Sequence, residues 1–228
     1  MLKIPSRIKR IAVLTPQGSW FVPKARKFVQ DLQRQYPGTR LFFEYERIPA
    51  GYDVIFILSY TRIIGPVLLK RHKHNIVVHA SDLPKGTGWA PLFWQVLEGK
   101  RKVVFTLFEA DEKADTGTYY IKSSLRLKGT ELHDELRELQ AQKCFELCRH
   151  FLNRYDSLRP RVQKGVRTFL KRRTPTDSRL DPRKTLRKQF NLLRICSNDD
   201  FPAFFYLNGR KYILKIYSDQ ELQAHGKK

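Results

Sequence analysis

The sequence predicts an α/β fold: a Rossmann-like, mainly parallel sheet with flanking helices, followed by a small C-terminal lobe of one helix and a β-hairpin. Three observations carry that expectation. Short apolar runs alternate with helical patterns as far as Tyr155, the order that builds a sheet covered by helices. The run DVIFILSY (53–60) is apolar on both faces, as a central parallel strand must be. Near the C-terminus Asn208-Gly209 joins two β-rich runs, a strong hairpin signal.

Taken in order, RIAVLT (10–15) is a buried strand, and VPKARKFVQDLQRQYP (22–37) is a helix with Phe28, Val29 and Leu32 on one face. TRLFFEY (39–45) and DVIFILSY are strands, PVLLKRHKH (66–74) a short helix, and NIVVHAS (75–81) another buried strand. APLFWQVLEG (90–99) is a helix that closes on Gly99. KVVFTLFEA (102–110) and TYYIKSSLRL (118–127) supply two more strands. Thr130 is placed to cap a long helix reaching Tyr155, with Glu131 and Asp134 in its first turn, where they suit the helix dipole. Beyond it, RKTLRKQFNLLRI has helical spacing, with Leu186, Phe190 and Leu193 on one face, and AFFYLNGRKYILKIY is the hairpin. The expected organisation is a main domain over 1–155, a basic linker over 156–182, and a C-terminal lobe over 183–228.

Composition narrows the partners. With 41% hydrophobic and 12% aromatic residues there is material for a core, so disorder is not the default. Forty-four Lys and Arg against 22 Asp and Glu give a net charge of +22. That field favours an anionic partner, whether nucleic acid, membrane surface or phosphorylated small molecule, without choosing among them. No apolar stretch approaches the ~20 residues that span a bilayer, so no membrane insertion is expected. The basic N-terminus runs into a short apolar segment with no small-residue cleavage site, which is read as the first strand. The three cysteines, with Cys144 and Cys148 one helical turn apart, make neither a disulfide framework nor a zinc site. A reducing cytoplasm is the expected location.

An open parallel sheet binds ligands at the carboxyl ends of its strands. Three such ends carry polar groups: Ser59-Tyr60, His79, and Glu109 onward. His79 passes at once into a loop holding Pro84, Gly86, Gly88 and Pro91, and Asp115 follows it by 36 residues, one crossover later. A His–Asp pair in a cleft fixes the imidazole tautomer and suits it to proton transfer. There is no G-x-S-x-G elbow for a serine nucleophile. The first strand leads into TPQGSWF rather than G-x-G-x-x-G, which leaves a nicotinamide dinucleotide site unsupported.

VVHASDLPKGTGWAPLFWQVLEGKRKVVFTLFEADEKADTG (77–117) resembles the central motif of the tetrahydrofolate-dependent formyltransferases, in which Asn-x-His enters a Ser-x-Leu-Pro…Gly loop and Asp-Thr-Gly follows. KRRTPTDSRLDP (171–182) and FNLLRICSNDDFPAFFYLNG (190–209) resemble the linker and small lobe of the members that act on nucleotide-linked amino sugars. The resemblance is nearest the compact enzymes for precursors of pseudaminic acid. It implies formyl transfer from 10-formyltetrahydrofolate, without a metal, to the amine of a UDP- or dTDP-linked 4-amino-4,6-dideoxy sugar. His79 then stabilises the oxyanion, while Asp115 orients it and relays or accepts the proton. Ser59, Tyr60, Ile63, Ile64, Glu109, Asp111, Glu112 and Lys113 are the expected folate contacts. Ser19, Trp20, Lys85, Gly86, Gly88, Arg172 and Arg173 are those expected for the sugar nucleotide. One departure stands out: Val77 occupies the position of the family asparagine and cannot donate a hydrogen bond. Asn75 lies ~6–7 Å back along the strand, and Ser81, a loop N–H or the substrate itself remain to fill the role.

Two other readings compete. Methionyl-tRNA formylation is the same chemistry and suits the basic charge, but only about 45 residues follow Asp181, too few for a five-stranded tRNA-binding barrel. A non-catalytic nucleic-acid-binding module would explain Val77, but not the retention of His79 and Asp115; nucleic acid is therefore not the expected partner. The β-rich end offers edges for a homodimer.

Overall fold

The computed structural model describes residues 8–219. Strand β1 (Ile11–Leu14) leads to helix α1 (Val22–Gln33), then β2 (Arg40–Phe42), β3 (Val54–Ile57), the short α2 (Pro66–Leu69) and β4 (His74–His79). There follow the two-residue β5 (Thr87–Gly88), α3 (Pro91–Leu97), β6 (Lys102–Glu109), β7 (Tyr119–Arg126) and the long α4 (His133–Asn153). After these come β8 (Phe169–Leu170), α5 (Leu186–Arg194), β9 (Ala203–Leu207) and β10 (Arg210–Leu214).

Six strands form the main sheet in the order β2-β1-β3-β4-β6-β7. β1 to β4 run parallel, while β6 pairs antiparallel with both β4 and β7 and alone opposes the rest. All residues of β1 and β3 are buried, so alternate side chains feed two cores on opposite faces. Ile11, Val13, Val54 and Phe56 meet α1, α3 and α4 in the first core. Ala12, Leu14, Ile55 and Ile57 meet Tyr45, Ile48 and α2 in the second. α1 contributes Phe28, Val29 and Leu32, the stripe expected from its spacing. α4 contributes Leu136, Cys144, Leu147 and Phe151. Each such fully buried side chain stabilises the fold by ~1.5–3 kcal/mol. Cys144 and Cys148 are free and buried, and burial pushes the Cys144 thiol up to about 12, far from a thiolate nucleophile.

Three expectations are corrected. The strand 39–45 keeps only Arg40–Phe42, because Tyr45–Arg47 turn into a 3-10 helix that buries Tyr45. The long helix starts at His133, not behind a Thr130 cap. The Glu131 carboxylate lies outside it, accepting from the Lys128 and Gly129 amides, while Glu135 accepts from Leu132 N at 2.8 Å. The reversal of β6 carries Glu109 opposite Ile76, at the starting end of β4. Its end therefore does not converge with those of β3 and β4.

The C-terminal lobe forms the expected helix and hairpin, although of the stripe Leu186, Phe190 and Leu193 only Leu193 is buried and Leu186 is exposed. Thr185 caps α5, Leu180, Leu193, Cys196 and Ala203 form its small core, and β9 and β10 pair antiparallel. Asn208 and Gly209 both have positive φ, 51° and 76°, as a two-residue hairpin turn requires. Arg194, almost wholly buried, reaches Glu131 at 3.3 Å and ties this lobe to the main domain.

Candidate active site

A cavity of about 740 Å³ opens along the rim of the sheet where β3 and β4 end. His79 stands in its wall. Its Nε2 meets the Gly86 carbonyl at 2.9 Å. A carbonyl only accepts, so this nitrogen carries the proton. Nδ1 faces the Asp115 Oδ1 across 3.8 Å, wider than a hydrogen bond. Both side chains are largely buried, at 12% and 15% exposure, yet both line the cavity. The other Asp115 oxygen accepts from Gly88 N at 2.9 Å. Sequence-distant loops are thus locked around one imidazole–carboxylate pair.

Asp115 reaches His79 by an unexpected route. Its loop leaves β6 at the far end of β4 and returns along the second face of the sheet, where Ala110, like Val77 and Tyr60, packs against the second core. Gly117 permits the return, since a Cβ there would lie 1.8 Å from the Glu109 carbonyl. Asp115 itself takes a left-handed backbone, φ 59°, a conformation Asp tolerates better than most residues. Ser59 (φ 55°) and Ala90 (φ 47°) do likewise, and all three line the cavity. Backbone strain of this kind collects where a site is over-determined by its surroundings.

The loops are held by a segment that the sequence pattern did not reveal. β8 pairs in parallel with β5, Thr168 Oγ1 accepts from Gly86 N at 2.8 Å, and Trp89 N donates to the Leu170 carbonyl at 3.0 Å. Gly88 must be glycine here: its φ is +98°, and a Cβ would lie 2.5 Å from Leu170 O. Gln163 Nε2 donates to the Asp115 and Gly117 carbonyls at 3.1 and 2.7 Å, and Arg167 to that of Ala114 at 2.7 Å.

Among the expected folate contacts, Ser59, Tyr60, Ile63, Ile64, Asp111 and Lys113 line the cavity. Glu109 and Glu112 instead line a neighbouring depression with His74 and Tyr120. The Glu109 carboxylate is taken up there by His74 Nδ1 at 3.1 Å, Tyr120 OH at 3.1 Å and the Asn75 amide. Of the expected sugar-nucleotide contacts, Ser19, Trp20 and Gly88 line the cavity, and Gly86 touches it through His79. Lys85 and Arg172 are exposed outside the lining, with Arg172 stacked 4.9 Å over Trp89. Arg173 is spent on the Ile195 and Asp177 carbonyls and Ser178, so it secures the linker to the C-terminal lobe.

The substitutes for the missing asparagine narrow as well. Val77 lines the cavity. Asn75 is bound to Tyr45 OH and the Leu69 carbonyl on the second face, and Ser81 is not in the lining. Arg137, Gln140 and Cys144 of α4 do line it. They carry no sequence signal beyond the polar and apolar faces of a helix. Among the described residues no His, Cys, Asp and Glu group is placed to hold a metal ion, and no helix is long and apolar enough to cross a membrane.

Residues 45–145 match the formyl transferase family. Among curated relatives, a methionyl-tRNA formyltransferase of Pelotomaculum thermopropionicum is 30% identical over 184 residues, 76% of this chain and 56% of that protein. The chain spans about half the length, or less, of the first curated relatives it matches. Of solved structures, a methionyl-tRNA formyltransferase from Clostridium thermocellum is similar with a TM-score of 0.75 at 23% identity, covering 92% of this chain and 93% of that one. A sugar N-formyltransferase from a Shewanella species gives 0.66 at 14%, covering 92% and 98%. At these identities the two structures bear on the fold alone.

Proposed function

We propose that the chain is a formyltransferase of the family whose model matches residues 45–145, and that it moves a formyl group from 10-formyltetrahydrofolate to the amine of a nucleotide-linked 4-amino-4,6-dideoxy sugar. The observation that carries this reading is the His79–Asp115 pair, buried in sequence-distant loops and open to one large cavity.

The chemistry suits the residues. A neutral amine attacks the formyl carbon, negative charge grows on the formyl oxygen, and the attacking nitrogen sheds a proton; the intermediate then collapses, the bond from the formyl carbon to the folate N10 breaks, and tetrahydrofolate leaves with a proton on that nitrogen. His79 stabilises the charge on the formyl oxygen once its Nε2–H turns from the Gly86 carbonyl to that oxygen. Asp115 stands where a protonated Nδ1 finds its counter-charge, and it receives or passes on the proton. The folate fits the second-face side of the cavity. Ile57, Ile64, Val77 and Phe108 line the cavity there, together with residues of the 58–64 and 110–114 loops. A flat ring system with a polar rim needs that combination. The sugar acceptor is supported by the likeness of 171–182 and 190–209 to the linker and small lobe of the sugar-nucleotide members.

A second reading, formylation of methionyl-tRNA, is favoured by the curated relatives of that name and by the net charge of +22. One experiment separates them. The protein is incubated with 10-formyltetrahydrofolate and either UDP- and dTDP-linked amino sugars or charged initiator tRNA, and products are weighed for the gain of one CO. Formylated sugar nucleotide is the expected product. Formylated methionyl-tRNA alone would move the assignment to the second reading, and no formylation of either would overturn the reaction.

A further inference from the structure

The cavity bridges both faces of the sheet. Tyr60, Val77 and Ala110, on one side of His79, pack with the second core. Trp20, Ala90 and Cys144, on the other, belong with the first. The proposed folate loops occupy the former side, and on the latter Arg137 of α4 lines the wall.

Its surroundings are unusual for a cation. The guanidinium carbon lies 4.4 Å from the Trp20 ring centroid and 4.5 Å from that of Phe93. With two aromatic rings against it, hydrogen bonding is left to the guanidinium edge. There Nη1 meets Gln140 Oε1 at a long 3.4 Å, and the buried Nε has no partner. Among the described residues no carboxylate forms an ion pair with it; Asp134 and Asp200 act only through space, and Asp134 is engaged with His133 at 2.7 Å. Burial pushes the group down to about 10. A desolvated charge without a counter-ion is costly, and an apolar side chain would fill the same space without that cost. A wall that nevertheless carries such a charge is built to meet an anion.

We propose that Arg137, framed by Trp20 and Gln140, is a subsite for an anionic oxygen group, phosphate or carboxylate, of the amine-bearing acceptor, across His79 from the folate. The assignment to the acceptor rests on the formyl-transfer reading. The free edge of a guanidinium matches the paired oxygens of either group. Arg137 thereby selects for acceptors whose anionic group lies within reach of their amine.

Binding of inorganic pyrophosphate, succinate and 5-formyltetrahydrofolate is measured by calorimetry near physiological salt, with the Trp20 indole signal followed by NMR. Wild type is compared with Arg137→Gln, Arg137→Lys and, to keep the packing, Arg137→Met, each checked for an unchanged Tm. The expected result is that at least one of the two small anions shifts the Trp20 signal and binds at least tenfold more weakly to Arg137→Gln and Arg137→Met. Arg137→Lys recovers that affinity in part, and folate affinity changes less than twofold. Whichever anion is lost identifies phosphate or carboxylate. Anion affinities equal in all four proteins would mean diffuse attraction to a basic surface and overturn the subsite. A loss confined to the folate would assign Arg137 to the folate's own carboxylates and overturn it equally. A wild type that takes the anion through Arg137 but binds no folate leaves the anion subsite standing and removes the formyl-transfer reading instead.

Discussion

Asp115 is held by contacts that leave its carboxylate little choice of direction: one oxygen on Gly88 N at 2.9 Å, the other toward His79 at 3.8 Å. A residue so fixed acts through its charge and its position, and the two are separable. Asp115→Asn keeps the shape and removes the charge; His79→Ala removes the imidazole. Each is expected to lower kcat by ~10²–10⁴, with folate affinity nearly unchanged, read by single-turnover formylation alongside folate titration. Near wild-type turnover in either variant would show that the pair does not carry the chemistry. The sequence made these two residues legible through the motif; the one-crossover spacing did not foresee how they meet, because β6 runs antiparallel to β4. It hid Arg137, because one arginine on the polar face of a helix looks like any solvated charge. Only the closeness of Trp20 and Phe93, from two other segments, distinguishes it.

Among the elements, α5 is tied to the loop that enters α4, where the main domain meets the lobe, and one buried pair makes the tie. Arg194 donates to the Glu131 carboxylate at 3.3 Å, the Glu131 carbonyl at 3.1 Å and Asn191 at 3.0 Å. Burial raises the Glu131 carboxyl, but the backbone amides of Lys128 and Gly129 and the Arg194 charge outweigh it and hold the group below its ordinary value. Removing one partner leaves the other charge buried, so Glu131→Ala is expected to cost about 3–5 kcal/mol. In a chain of this size that lowers Tm by roughly 6–20 °C. With a depressed folded value, the carboxylate stabilises fully above its unfolded pKa, and that stabilisation is lost as pH falls through the folded one. The stability gap between wild type and Glu131→Gln should therefore narrow below about pH 4; denaturant melts at several pH values would show a constant gap if the pair were inert. The same pair explains why the helix start was misread. Glu131 looks like a first-turn acid in sequence, whereas its carboxylate is diverted to the loop amides and Arg194. The direction of β6 was hidden for a related reason: an apolar strand buried on both faces reads the same whichever way it runs.

At the scale of the whole molecule, the stretch between the α4 and α5 helices returns to the main domain and closes the site. β5 and β8 have two residues each and no periodicity, and Gly86 N and Thr168 Oγ1 are 82 residues apart in the chain. Nothing local in the sequence marks such a pairing, although the apolar runs made the sheet itself readable. The consequence is that residues 156–182, expected as a basic linker, hold both loops that surround His79 and Asp115. Gln163 holds the carbonyls on either side of Thr116, and Arg167 holds that of Ala114. These contacts lie near the surface, where a hydrogen bond contributes ~0.5–1.5 kcal/mol, but they bear on Asp115, where a shift near 1 Å costs on the order of 10²-fold in rate. Gln163→Ala combined with Arg167→Ala should therefore separate rate from stability: Tm down by a few degrees, kcat down at least tenfold, and hydrogen exchange faster at the Gly88 amide and across 113–117. Unchanged exchange and turnover in the double variant would mean that the loops find their places without the returning segment.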